Sequence, residues 1–176
     1  MRPSVIFDLD QTLVDTKHLA DLRKNGRWNQ IYGEIQKLKS YDKIDDLFNF
    51  LSRNSIDIII VTMSPSSYCS RIVDYFGWNV GGKICYHDVK PNLKPHPEPF
   101  LKAIRDYQLD PARTISAGDS AIDIIASKRA NIPSIACSWD SDDTVSLLAS
   151  SPTFHAHNPN DLFMQIIKFH NLSQFA

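Results

Sequence analysis

With 176 residues, 43% of them hydrophobic and 22% charged, the chain holds enough apolar material for one domain with a buried core. A net charge of −1 argues against a broad nucleic-acid-binding face, although a local basic patch is compatible with it. Cys69, Cys85 and Cys137 lack metal-type spacing, the start Met-Arg-Pro-Ser lacks the apolar core of a signal peptide, and no run approaches transmembrane length. A soluble, cytoplasmic protein with reduced thiols is expected.

Taken in order, the first element is a short apolar run, Val5-Ile6-Phe7, that leads straight into Asp8-Leu9-Asp10. Such a run reads as a buried parallel strand ending in two carboxylates. If the chain stays extended there, both acids share a face. Further strands are expected at 56–61, 83–86, 114–117 and 134–137, with a weaker one at 153–157. Apolar stripes of helical spacing fill the gaps: Ile44, Leu47, Phe48 and Leu51; Ile72, Val73 and Phe76; Phe100, Leu101, Ile104 and Tyr107; Ile122, Ile125 and Ala126; Leu162, Phe163, Ile166 and Ile167. Ser64-Pro65 is expected to open the second of these helices, with Ser64 as N-cap and Pro65 in the first position. Alternating strands and helices predict an α/β fold, a doubly wound and mostly parallel sheet with helices on both faces.

Residues 14–41 break the alternation. Trp28, Ile31, Ile35 and Leu38 have helical spacing after an Asn25-Gly26 turn, which predicts a short helical insertion over a core formed by 1–13 and 42–176. From residue 17 to 43 there are seven Lys or Arg and three acids, read either as a basic lid over an anionic ligand or as a solvated helical face, the latter slightly favoured.

Four expected strand ends carry polar groups suited to one site: Asp8-x-Asp10-x-Thr12; Thr62-Met63-Ser64; Lys94-Pro95-His96-Pro97-Glu98-Pro99; and Gly118-Asp119-Ser120-Ala121-Ile122-Asp123. In this order they resemble the four motifs of the haloacid dehalogenase (HAD) superfamily, and its phosphoglycolate-phosphatase-like members most of all. The resemblance implies a Rossmann-like HAD core with a cap insertion, here a short one. It implies that Asp8 is the nucleophile and Asp10 the general acid and base, with the Asp10 carbonyl also on the metal. Mg²⁺ would sit on Asp8, Asp10 and Asp119, an oxygen-only set of the kind that ion takes. Thr62 and the Met63 N–H would bind phosphate, Lys94 would offset negative charge, and Thr12 and Asp123 would support the site. Lys90-Pro91 competes with Lys94-Pro95 for the lysine role, and Gln11 stands where many members have glycine.

The expected activity is Mg²⁺-dependent hydrolysis of a phosphomonoester through an aspartyl-phosphate, with a phosphorylated small molecule as substrate. A protein or nucleic-acid-end phosphatase, and a binding module on the same fold, are alternatives. A short lid predicts an open site, or one closed by a second copy of the chain. His155 and His157 lack a carboxylate or cysteine partner and are not expected to bind metal.

Overall fold

The computed structural model describes residues 1–172. Strands β1 (Arg2–Phe7), β4 (Asp57–Val61), β5 (Gly82–Ile84), β6 (Leu109–Gly118), β7 (Ser134–Cys137) and β8 (Phe154–Ala156) form one sheet in the order β5-β4-β1-β6-β7-β8. Every pairing in it is parallel. Successive pairings therefore leave β1 on opposite sides, β4 on one and β6 on the other. The carboxyl end of β1 is thus the point where open α/β sheets form a binding crevice.

Period two along the central strands sorts side chains between two cores. Val5, Phe7, Ile58, Ile60, Ile115, Ala117, Ile135 and Cys137 point to one face. There they meet Leu47 and Leu51 of α3 (Ile44–Arg53), Cys69 and Ile72 of α4 (Ser66–Phe76) and Leu162 and Ile166 of the helix Pro159–Phe169. Ile6, Ile59, Val61 and Ile84 point to the other face, against Phe100 and Ala103 of α6 (Glu98–Asp106) and Ala126 of α7 (Ala121–Arg129). Both faces are covered, as the sequence predicts for a doubly wound sheet, and all three cysteines are buried and free.

Some local expectations are corrected. Tyr86 is not the end of a strand but the first residue of the one-turn helix α5 (Tyr86–Val89), which is closed by a reciprocal capping pair between Cys85 and Asp88. Helix α4 starts at Ser66 with Pro65 in the cap position; Ser64 does not cap it, because its hydroxyl is spent elsewhere. Between β1 and α3, a two-residue antiparallel pair, β2 (Val14–Asp15) with β3 (Lys39–Ser40), brackets α1 (Ala20–Lys24) and α2 (Trp28–Glu34). Ile31, Ile35 and Leu38 anchor this segment in the larger core. No helix among the described residues is long and apolar enough to cross a membrane.

Candidate active site

The site grows from the carboxyl end of β1. The Asp8 N–H extends the ladder by one bond, to the Ala117 carbonyl (2.9 Å), which fixes Asp8 between β4 and β6. By alternation its side chain points to the face of Ile6. There it meets Lys94, whose ammonium donates to Asp8 Oδ1 (2.9 Å), Asp123 Oδ1 (2.6 Å) and the Val61 carbonyl (2.6 Å). All three ammonium hydrogens are thereby used. The Lys94 side chain is 1% exposed, whereas Lys90 is exposed and lies over the Tyr86 ring. Burial therefore separates two Lys-Pro pairs that look alike in sequence.

Asp123 carries two duties. One oxygen takes Lys94 and the other accepts from the Ser120 N–H (3.1 Å), in a capping box that opens α7. Gly118 makes this possible: a Cβ there would fall 2.6 Å from Asp123 Cβ and Cγ, so only glycine lets α7 dock this closely.

Asp10 has different surroundings. The backbone turns at Gln11 (φ 62°), and the Leu13 and Val14 N–H groups fold back on the Leu9 carbonyl. Three donors converge on Asp10 Oδ1: the Thr16 hydroxyl (2.9 Å), the Tyr68 hydroxyl (2.7 Å) and the Arg23 guanidinium (3.1 Å). The Ser64 hydroxyl donates to Oδ2 (2.8 Å). Two acids two residues apart thus have separate partners: a buried lysine for Asp8, and a hydroxyl and guanidinium cage for Asp10. Divergent settings of this kind suit neighbouring carboxyl groups to different chemical duties.

Asp119 follows β6, and its Oδ1 accepts from the buried Thr12 hydroxyl (2.9 Å). The Ser141 hydroxyl holds its main-chain carbonyl (2.6 Å). Thr62 is buried, and its Oγ1 accepts from the Ser64 N–H (3.1 Å), so its own hydroxyl hydrogen remains to be donated.

Asp8, Asp10, Thr62, Met63, Asp119 and Asp123 border a cavity of about 300 Å³ that opens to solvent. Lys94 lies beneath it and Thr12 behind Asp119. Residues Arg23 and Lys24, from the segment between β2 and β3, contribute to the wall without sealing it. The excess of basic residues in that segment is divided. Lys37 and Lys43 pair locally with Glu34 and Asp46 on the surface, while Arg23 turns its charge inward onto Asp10. Sequence reasoning missed Thr16, Arg23, Tyr68 and the Ser64 hydroxyl as partners of Asp10. Thr16 and Arg23 come from the 14–41 segment, and Ser64 and Tyr68 from around the start of α4. Only Ser64 lies in a motif, and that motif gives no sign that its hydroxyl turns to Asp10.

The electrostatics are those of a site with surplus negative charge. Burial first, then Asp123 and Asp10, raise the Asp8 carboxyl to about 7, although Lys94 pulls the other way. Burial, then Asp8 and Asp123, raise Asp119 to about 8, although the Thr12 hydroxyl lowers it. Burial would lower Lys94, but Asp123 and Asp8 together raise it well above its ordinary value. One ammonium is shared by two carboxylates and leaves Asp119 uncompensated. Among the described residues, no three or more His, Cys, Asp or Glu side chains form a ready-made cage for a metal. The donor set on offer is two carboxylates, Asp8 and Asp119, beside the Asp10 main chain, which suits a hard cation that keeps several waters. His155 instead hydrogen-bonds the Ser138 hydroxyl (2.8 Å).

Comparison with known proteins bears on the family and the fold. The family model for haloacid dehalogenase-like hydrolases matches residues 18–137, a span that begins after the Asp8-x-Asp10 motif. A phosphoglycolate phosphatase of Psychrobacter arcticus is 28% identical over 104 residues, covering 58% of this chain and 45% of that protein. The pyrophosphatase PpaX of Oceanobacillus iheyensis is 29% identical, covering 90% of this chain and 94% of that protein. This chain spans about half the length of the first phosphoglycolate phosphatases it matches. The crystal structure of a predicted phosphatase from Clostridium acetobutylicum superposes with a TM-score of 0.79 at 16% identity, covering 96% of this chain and all of that one. The fold, the order of the strand ends and the family match agree: the chain belongs to the haloacid dehalogenase-like hydrolase family.

Proposed function

We propose that this chain is a Mg²⁺-dependent phosphatase that hydrolyses a small phosphomonoester through an aspartyl-phosphate on Asp8. The observation that carries the reading is the placement of Asp8 at the floor of the cavity. It is held by buried Lys94 and flanked by Asp119, with Asp10 nearby in a cage of its own. An Asp8 oxygen attacks phosphorus, and the bond from phosphorus to the leaving oxygen breaks. Asp10 delivers the proton that oxygen needs. Water then attacks the phosphorus of the aspartyl-phosphate and gives its proton to Asp10, releasing phosphate and restoring Asp8. The Ser64 hydroxyl suits both halves, because it donates to ionised Asp10 and accepts from protonated Asp10. The Thr62 hydroxyl and Met63 N–H serve as phosphate donors, and Lys94 offsets charge as the phosphoryl group transfers.

Asp8, Asp119 and the Asp10 carbonyl would hold Mg²⁺, which would supply positive charge to offset the repulsion between these carboxylates and an incoming phosphate. The cavity of about 300 Å³ is of small-molecule size. Residues 14–41 act as a short cap that supplies Arg23 and Lys24. The phosphoglycolate phosphatases and the pyrophosphatase among the relatives support a phosphorylated small molecule as the substrate class. Phosphate release from p-nitrophenyl phosphate is the direct test. Mg²⁺-dependent turnover abolished by chelator supports the reading, and activity no higher than that of an Asp8→Asn control refutes it.

Two further expectations concern the metal. Both Asp8 and Asp119 have raised values in the metal-free fold, so the folded state holds these protons more tightly than the unfolded chain. The stability they contribute is complete below about pH 4 and is lost as pH rises through about 7 to 8. Metal-free protein should melt lower at about pH 8.5 than at about pH 5, and Mg²⁺ should recover the difference at the higher pH only. Equal stabilisation by Mg²⁺ at both would contradict the assignment. Thr12→Val removes the hydroxyl that orients Asp119 and should weaken Mg²⁺ activation by about 10- to 100-fold with saturated turnover largely kept. A titration of rate against Mg²⁺ measures both quantities.

A further inference from the structure

Of the non-glycine residues with positive φ among the described residues, Gln11 alone borders the active-site cavity. Glycine would adopt this turn without steric penalty, so a buried glutamine there calls for a reason. Its side chain supplies one. Nε2 donates to the Asp140 carbonyl (3.0 Å), and Oε1 accepts from Arg23 Nη2 (3.5 Å). Arg23 Nη1 in turn donates to the Thr16 carbonyl (2.9 Å) and pairs with Asp10 Oδ1 (3.1 Å). Asp140 is itself anchored, its carboxylate taking Lys17 (3.1 Å) and the Tyr41 hydroxyl from the two ends of the cap segment. A side-chain amide of this length offers a donor to a carbonyl and an acceptor to a guanidinium at once.

We propose that Gln11 is a positioning residue that acts through Arg23. It brackets the guanidinium between the Asp140 loop and the Thr16 carbonyl, and so keeps it on the Oδ1 side of Asp10. The inference rests on the phosphatase reading, in which Asp10 must occupy one place through two proton transfers. The left-handed turn at Gln11 is then the conformational cost of a charge held in register with the proton shuttle. Arg23 is only 15% exposed and already committed to Asp10 and Thr16, which fits a fixed bracket better than a freely mobile lid cation.

The test is p-nitrophenyl phosphate turnover, with thermal melting of the same samples. Q11G should lower kcat about tenfold with KM changed less than about twofold, because a small misplacement of a reacting group costs turnover first. Its melting midpoint should not fall below wild type, since glycine relieves the turn. Q11M, which keeps the length but not the amide, should lose the same activity. R23Q should reproduce the loss, and Q11G/R23Q should be no slower than R23Q alone, the signature of two residues acting in series. Retention of kcat within twofold in Q11G and Q11M, multiplicative losses in the double variant, or Q11G melting well below wild type would each overturn the inference. Inactive wild-type protein would refute the phosphatase reading and this inference together; active wild type with unchanged Q11G refutes the inference alone.

Discussion

Asp8→Asn is expected to abolish phosphate release, lowering turnover by at least about a thousandfold while leaving the protein folded. Asparagine keeps the shape of the side chain and the contact with Lys94 but has no anionic oxygen to attack phosphorus. Folding should not suffer. In the metal-free fold, burial and two neighbouring carboxylates make an ionised Asp8 unfavourable, and the neutral amide removes that cost. At about pH 8, above the raised Asp8 value, the metal-free variant should melt at or above the wild type. Loss of activity without loss of stability separates a reacting group from a structural one. Residual turnover within tenfold of wild type would exclude Asp8 as nucleophile.

Lys94→Met should be damaging on both counts. The ammonium is buried and satisfies Asp8, Asp123 and the Val61 carbonyl together. Its removal leaves two buried carboxylates without their cation, a loss of about 3–5 kcal/mol. For a domain of this size that lowers the melting midpoint by on the order of 10 °C. Phosphate release should fall by about 10²- to 10³-fold, the usual cost of deleting one donor from a transferring anion. Arginine should not substitute, because its planar fork does not fit three acceptors arranged around a compact ammonium. Adding Asp123→Asn to Lys94→Met should recover part of the stability, by removing one uncompensated charge, and none of the activity. Lys90→Met, at an exposed side chain over the Tyr86 ring, should change neither by more than a small margin. Melting curves and phosphate release on the four proteins decide the matter.

Much of this arrangement is legible in the sequence where the signal is local. An apolar run that stops at Asp8-x-Asp10 marks the end of β1, and similar runs mark the ends of β4 and β6, because a strand buried on both faces has no reason to alternate. The strand bounds move: the run from 56 starts one residue later, as Asp57–Val61, and that from 114 extends back five residues to Leu109. Short pieces escape, since two-residue strands such as β2 and β3 are too brief to show a period. Competing local chemistry misleads as well. Ser64-Pro65 has the pattern of a helix start, yet the hydroxyl serves Asp10, 54 positions away in sequence. Tyr68 sits among Cys69, Ile72 and Val73 on a buried helical face and reads as core, while its hydroxyl reaches the same carboxylate. What cannot be read is the set of polar contacts that the tertiary fold assembles. The choice between Lys90 and Lys94 shows why: the Pro-Glu-Pro-Phe after Lys94 favours it in sequence, but the burial of its ammonium against Asp8 and Asp123 is a property of the fold.

The most direct test of the central claim is to look for the phosphoryl group on Asp8. Protein supplied with Mg²⁺ and a ³²P-labelled small phosphomonoester is quenched in acid within the first turnover, and the labelled peptide is mapped. Label is expected on the peptide that contains Asp8, labile to hydroxylamine as an acyl phosphate is, and absent from Asp8→Asn. Turnover without label on that peptide, or label that persists in Asp8→Asn, would contradict it.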